Sequence, residues 1–350
     1  MADRRYVPGR RVCAPLLGLL LALTACGGDN GGKTELIVYS THGPDMLRVI
    51  ETEFEKAHPE ADLQWIDMGS QEVLDRVRSE KANPQADVWY GAPNELFRTA
   101  ADQDLLEPVH PTWAAAVAEQ SDPAGRFYGI YLTPEVIAYN RDAVDSASAP
   151  RDWDDVLDPR WKDKVVIRDP LASGTMRTIF GMVILRSLRE TGDTTAGWDW
   201  LRRLDGQTRD YVLNPTLLYQ KLSRREGLIT LWDLPDIEVL RAKTGYPIDY
   251  SIPTSGTPMV VDGVAVVKGA SHPELARQFV EFVGSPALVT LAAREFFRLP
   301  ARSDIPADSL PPALRRARAA IRPEPIDWDL LQKNGPEWMR YWDEHVRGGR

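Results

Sequence analysis

Glu35–Ser40 reads ELIVYS and Ala86–Tyr90 reads ADVWY, two short runs whose β-branched and aromatic content is that of buried strands. Between them, Pro44–Ala57 (PDMLRVIETEFEKA) sets Met46, Leu47, Ile50 and Phe54 at three- and four-residue spacing behind a leading proline. That is an amphipathic helix, and its first position has no use for an N–H group. Asp62–Asp67 predicts a second strand, Gln71–Lys81 a second helix, and a further helix near Asn94–Ala101 follows the third strand. Such alternation predicts a parallel sheet with helices packed on its faces. Ligands approach these sheets at the carboxyl ends of the strands, here Ser40-Thr41-His42 and Gly91-Ala92-Pro93.

The pattern changes near Phe127–Asn140, where two short strands flank Thr133-Pro134, and then resumes. Lys164–Arg168, Arg209–Val212 and Gly227–Trp232 read as strands, with helices at Gly174–Arg189 and Pro215–Arg225. Pro258–Lys268 is strand-like and contains Asp262-Gly263; helices are predicted at Pro273–Val283 and Pro286–Arg294. From Ile305 onward a segment rich in Pro, Arg and Trp predicts short helices wrapped around the outside. The class is α/β, and 350 residues suit two domains better than one core.

Composition narrows the function. With 43% hydrophobic and 27% charged residues the chain is globular. Its first 25 residues hold Arg4, Arg5, Arg10 and Arg11 against Asp3, so the remainder carries 38 basic and 50 acidic side chains, net −12. Such a chain is unsuited to nucleic acid, whose nonspecific binding needs Lys and Arg against phosphates. Both cysteines, Cys13 and Cys26, lie at the N-terminus, which excludes a disulfide framework or a cysteine nucleophile in the folded body. The apolar run Ala14–Ala25 behind those arginines falls short of the roughly 18–20 residues of a spanning helix and reads as a secretory signal. It ends in Leu23-Thr24-Ala25-Cys26, which resembles the bacterial lipobox and implies lipid attachment at Cys26. Residues 1–25 are then a signal peptide and 26–34 a lipidated, Gly-rich tether holding the body at a membrane surface.

Five stretches occur in order: Leu36–Ser40 (LIVYS), Ala86–Tyr90 (ADVWY), Trp153–Lys164 (WDDVLDPRWKDK), Asp169–Thr175 (DPLASGT) and Gly256–Gly269 (GTPMVVDGVAVVKG). With the lipobox in front, the chain resembles an extracellular solute-binding protein of an ABC importer. The branch in question contains ferric-ion binders and relatives that bind sugar phosphates or phosphonates. The resemblance implies a type 2 periplasmic-binding-protein fold: two lobes, each a mainly parallel sheet flanked by helices, joined by a two-strand hinge. Residues 35–132 would form the first lobe, 133–254 the second, and 255–350 the return to the first lobe with a C-terminal helical tail. It further implies a monomer without cofactor, lipid-anchored outside the cytoplasm, that closes over a small anionic solute and is recognised by permease and ATPase subunits. Closure requires the solute to contact both lobes in the closed state and fewer groups in the open one.

Ser173-Gly174-Thr175 opens a predicted helix, where unpaired N–H groups favour an anion and Gly174 permits close approach. Ser173 as a simple helix cap is the alternative. Arg177, early in that helix, supplies either a cation for the solute or half of an ion pair between lobes. Ser40, Thr41 and His42, with Gly91, Ala92 and Thr133, would face the cleft from the first lobe. His42 lies near the position of the iron-ligating histidine of ferric-binding relatives, but suits a hydrogen bond to an anion better. Those relatives use an adjacent tyrosine pair; the matching stretch here is Thr230-Leu231-Trp232-Asp233-Leu234, without tyrosine. Trp232-Asp233 resembles instead the His-Asp pair of sugar-phosphate binders, Asp233 accepting hydroxyls and the indole covering a sugar face. Asp233 as an N-cap, and Asp262 as either cleft acceptor or bulge marker, stay open. A ferric complex is the second expectation. A secreted hydrolase using Asp233 and Asp236, or Asp154 and Asp155, is the third, and the chain has no His-Glu-x-x-His, phosphate loop or Gly-x-Ser-x-Gly.

Overall fold

The computed structural model describes residues 32–348. The signal peptide, Cys26 and most of the tether read from the sequence lie outside the described residues. The predicted alternation opens the fold as β1 (Thr34–Ser40), α1 (Pro44–Ala57), β2 (Ala61–Asp67), α2 (Ser70–Ser79), β3 (Val88–Pro93) and α3 (Asn94–Asp102). A short β4 (Leu106–Glu107) leads to the long β5 (Tyr128–Asn140). The second half contains β6 (Val165–Arg168), α4 (Gly174–Thr191), α5 (Thr195–Gln207), β7 (Thr208–Val212), α6 (Pro215–Ser223), β8 (Ile229–Asp233), α7 (Leu234–Lys243) and β9 (Ile248–Ser251). The chain then runs through β10 (Met259–Val267), α8 (Pro273–Val283), α9 (Pro286–Phe296), β11 (Leu299–Pro300), α10 (Pro312–Ala320) and α11 (Trp328–His345).

Two sheets share β5. Its first part pairs with β10 in the order β2-β1-β3-β10-β5, and its second part pairs with β8 in the order β5-β8-β6-β7. Each sheet has three parallel strands (β2, β1, β3 and β8, β6, β7), and the strands that carry the chain between lobes are antiparallel to them. The mainly parallel sheets expected from the sequence are thus mixed, because a strand arriving from the other lobe enters at the cleft end and must run the opposite way. The carboxyl ends of β1, β2, β3, β6 and β8 bear Ser40, Asp67, Pro93, Arg168 and Asp233.

Residues 128–140 form one strand and not the two expected. Pro134 sits where β5 changes sheets, opposite Met259, and the ladder resumes with Glu135 N–H donating to Pro258 carbonyl (3.0 Å). Proline is tolerated because its missing donor falls at that handover. The second connection between lobes, Ser251–Met259, is anchored by the Trp153 segment: Trp153 Nε1 donates to Gly256 carbonyl (2.8 Å), and Thr254 and Ser255 hydroxyls donate to Asp152 (2.8 and 2.6 Å).

The tail is also different from the expectation. It includes an 18-residue helix, α11, which packs on α4 of the second lobe as well as on α3 of the first. Trp342, fully buried, meets Phe180 and Tyr211 edge-on with centroids 5.5 and 5.0 Å apart, and Arg347 pairs with Asp169 (3.1 Å). An apolar helix stripe must be covered somewhere, and the uncovered face of α4 at Gly181, against which Leu331 rests, takes it. Among the described residues, no helix is long and apolar enough to cross a membrane.

Candidate functional site

Three helix starts meet between the sheets. Helices α2 and α3 begin at Ser70 and Asn94 without side-chain caps. Helix α4 begins at Gly174, whose absent side chain leaves room for Pro93 and Ser70: a Cβ there would lie 2.6 Å from Pro93 Cγ and 3.2 Å from Ser70 Oγ. The first N–H groups of a helix lack internal partners and carry a partial positive charge. Ser173 Oγ accepts from Met176 N–H (3.3 Å), and Arg177 N–H donates to the Ser173 carbonyl. The N–H groups of Gly174 and Thr175 meet no acceptor among the described residues. Ser173 is thus a cap, as its alternative reading had it, while the two positions after it keep free donors.

Arg177 crosses the cleft. Its guanidinium donates to Gln71 Oε1 of α2 (2.8 Å) and to Leu171 carbonyl (3.4 Å), with its Nε unpaired. Glu95, fully enclosed in the first turn of α3, has no partner on either carboxylate oxygen; burial pushes its pKa up to about 7, against the pull of its own backbone N–H and of Arg177.

The residues after β1 form the first lobe's wall. Ser40 Oγ accepts from His42 N–H (3.3 Å). His42, 8% exposed, stands edge-on to Tyr90 and Tyr131 with centroids 4.5 and 5.7 Å away, and its Nε2 has no partner. Burial, then the Arg298 charge, hold its pKa well below the usual value, so it is a neutral imidazole. Gly91 and Ala92 both have positive φ, 91° and 90°. At Gly91 a Cβ would come within 2.7 Å of Thr41 Oγ1, so glycine is required there. Ala92 accepts a strained backbone, which costs about 1–3 kcal/mol and turns the chain into α3.

The floor carries most of the charge. Arg298, 8% exposed, donates to Asp236 (3.0 Å) and lies 3.9 Å from Asp262. Asp262 accepts from Thr133 Oγ1 (2.6 Å) at the point where the register of β10 shifts, so it marks a bulge and its carboxylate is turned toward Thr133. Asp233 caps α7, accepting from Asp236 N–H (2.9 Å). Trp232 Nε1 donates to Tyr219 Oη (2.9 Å) and Asp236 (3.3 Å), and Tyr219 donates to Asp236 (2.6 Å). The indole is therefore engaged inside the second lobe. Across the β5–β8 ladder from Asp233 stands Glu135, fully buried with both carboxylate oxygens unpartnered.

Burial, and then Asp233, Asp262 and Asp236, push the Glu135 pKa well above the carboxylate range. Asp233 is raised by burial and by Asp236; Asp262 is raised by burial despite Arg298 and Thr133. Four carboxyl groups face one guanidinium. Tyr90 and Tyr131 hydroxyls bond to each other (2.9 Å), and burial drives both pKa values upward, away from tyrosinate. No group of three or more His, Cys, Asp or Glu among the described residues is arranged to hold a metal ion.

Of the candidates named from the sequence, Ser40, His42, Thr133, Ser173, Arg177, Asp233 and Asp262 are buried, and Glu135, Arg298 and Glu95, which are buried as well, were not among them. A charged residue inside the apolar strand Tyr128–Asn140 was the available signal for Glu135. Nothing local distinguishes Arg298, whose partners lie 36 and 62 positions away.

The family model described as "Bacterial extracellular solute-binding protein" matches residues 83–334. The "Probable ABC transporter periplasmic-binding protein y4fP" of Sinorhizobium fredii is 28% identical over 318 residues, covering 89% of this chain and 86% of its own length. A Salmonella typhimurium periplasmic protein whose name proposes 2-aminoethylphosphonate binding is 24% identical over 277 residues, 76% of this chain and 78% of its own. The solved structure of periplasmic binding protein AfuA from Actinobacillus pleuropneumoniae, with fructose-6-phosphate bound, matches with TM-score 0.75 at 22% identity over 90% of this chain and 99% of that one. At that identity the likeness speaks for the two-lobed α/β fold.

Proposed function

Because the chain belongs to the bacterial extracellular solute-binding protein family, we propose that it captures a small anionic organic solute, of the sugar-phosphate or phosphonate type, between its lobes for an ABC importer. The observation that carries this reading is the pair of free N–H donors at Gly174 and Thr175, enclosed between lobes beside two further uncapped helix starts. A phosphate or phosphonate would satisfy them, and each direct bond to a charged group is worth about 1.5–3 kcal/mol net, more than the dipole contributes. Arg177 and the neutral His42 stand on either side as further donors. Bound anion would bridge α4 to the first lobe and so favour the closed arrangement presented to the permease and ATPase subunits.

Titration calorimetry with hexose phosphates, alkylphosphonates and ferric citrate is the test. Micromolar binding of a phosphate or phosphonate is expected. Binding of iron alone, with a visible charge-transfer band, would overturn the assignment in favour of a ferric receptor. Lipidation of Cys26, outside the described residues, belongs to the same proposal. The mature N-terminus should begin at an acylated Cys26 by mass spectrometry, and an unmodified N-terminus elsewhere would refute it.

A further inference from the structure

The acidic groups of the floor come from both lobes and meet at the crossing strand. Glu135 follows Pro134, where β5 changes sheets, and is the first residue of β5 to pair with β8, opposite Asp233. Asp236 lies on α7 of the second lobe; Asp262 lies on β10 of the first, bonded to Thr133. Arg298, just before β11, reaches over from the first lobe to Asp236 (3.0 Å) and stays 3.9 Å from Asp262. Neither carboxylate oxygen of Glu135 has a donor. An ionised carboxylate is hardly tolerated in such a place, whereas the neutral acid is.

We propose that closing the lobes takes up protons at Glu135 and its acidic neighbours, so that acid favours the closed arrangement and alkali the open one, with or without solute. Opening parts Asp262 and Arg298 from Asp233 and Asp236 and admits water to Glu135. Water favours the carboxylate form, and so does distance from other negative charges.

The groups facing Glu135 act in one direction with one exception. Asp233 at the end of β8, Asp262 on β10 and Asp236 on α7 raise its proton affinity, after burial itself; Arg298 lowers it. Asp249 of β9, the remaining strand beside this part of β5, is turned to Arg241 (3.3 Å). His42 is neutral, and Tyr90, Tyr131 and Tyr219 are held as phenols. A second carboxyl group in the same condition stands at the start of α3. Glu95 has both oxygens unpartnered, and burial pushes its pKa up to about 7, with Asp262 adding to the shift and Arg177 of the second lobe and Arg98 opposing it.

The direction follows from linkage. A group that holds its proton more tightly in the closed state supports closure fully below its open-state pKa, about 4 for a carboxyl in water. That support is lost as pH rises through the closed-state value, about 7 for Glu95 and above the carboxylate range for Glu135 and Asp233. Within this window each linked proton changes the closed-to-open ratio about tenfold per pH unit. An anionic solute arriving in acid also meets fewer negative charges on the floor, a corollary that rests on the anion reading above.

Small-angle scattering of the solute-free protein in half-unit steps from pH 5 to pH 8 is the test. The protein is expected to be more compact at pH 5, and its closed-to-open ratio to fall about tenfold to a hundredfold per pH unit, one to two linked protons. Acid unfolding would enlarge the molecule at pH 5 and so has the opposite sign. Glu135→Gln, neutral at every pH, is expected to be as compact at pH 8 as the parent is at pH 5 and to reduce the slope by about one proton. Glu95→Gln is expected to flatten the response chiefly around pH 7. A parent of constant size, a parent that expands in acid while its near-ultraviolet circular dichroism stays native, or an undiminished response in Glu135→Gln would each overturn the proton linkage. Failure of every phosphate and phosphonate to bind would overturn the anion reading and leave this result standing, because no solute enters the measurement.

Discussion

Arg298→Gln is expected to destabilise the protein by about 3–5 kcal/mol near neutral pH, the usual cost of leaving buried charge without its partner. The guanidinium is the sole cation bonded to Asp236 among the described residues and the nearest one to Asp262, and it opposes the upward pKa shifts of Glu135, Asp233 and Asp262. Without it those carboxyl groups move further upward. A folded-state pKa above the unfolded one supports stability below the unfolded value, and that support is lost as pH rises through the folded one. The deficit should therefore be large at pH 8 and smaller at pH 5, where the carboxyl groups take up protons. Urea unfolding of both proteins at the two pH values measures it. A variant within about 1 kcal/mol of the parent at pH 8 would mean that the floor is neutral and that Arg298 balances nothing.

Gly174→Val is expected to weaken solute binding about a thousandfold, roughly 4 kcal/mol, while leaving each lobe folded. The new Cβ would sit 2.6 and 2.9 Å from Pro93 Cγ and Cδ, atoms of a ring that has no side-chain torsion with which to retreat. Ser70 Oγ at 3.2 Å can rotate away; Pro93 cannot. The backbone at position 174 is outside the left-handed region, and valine is no worse than glycine in a helix, so the damage falls on closure. Small-angle scattering should show a parent that contracts with ligand and a variant that does not. Normal contraction and affinity in the variant would disprove the contact between Pro93 and the start of α4.

The alternation of strands and helices through Ala101 was legible because each element's signal lies within its own residues. Met46, Leu47, Ile50 and Phe54 form one buried stripe, and the predicted Pro273–Val283 helix starts and stops at those residues. The start of α4 was legible for the same reason, since Ser173 as a cap and Gly174 as an opening are local facts. Pro134 misled, because proline argues against an internal strand unless the missing N–H coincides with a change of partner, and only the arrangement of both sheets shows that it does. Tail helix α11 was misjudged because its burial depends on Phe180, Tyr211 and the notch at Gly181, all more than a hundred residues earlier.

By itself, the sequence determined the α/β class, the order of most elements and the start of α4 at Gly174 behind its Ser173 cap, since periodicity, capping and glycine placement act over a few residues. Tertiary structure alone decided the electrostatics of the floor. Glu135, Asp233, Asp262 and Arg298 come from four separate segments, and a carboxyl group's charge depends on its depth from water and on neighbours a few ångströms away, whatever their distance along the chain.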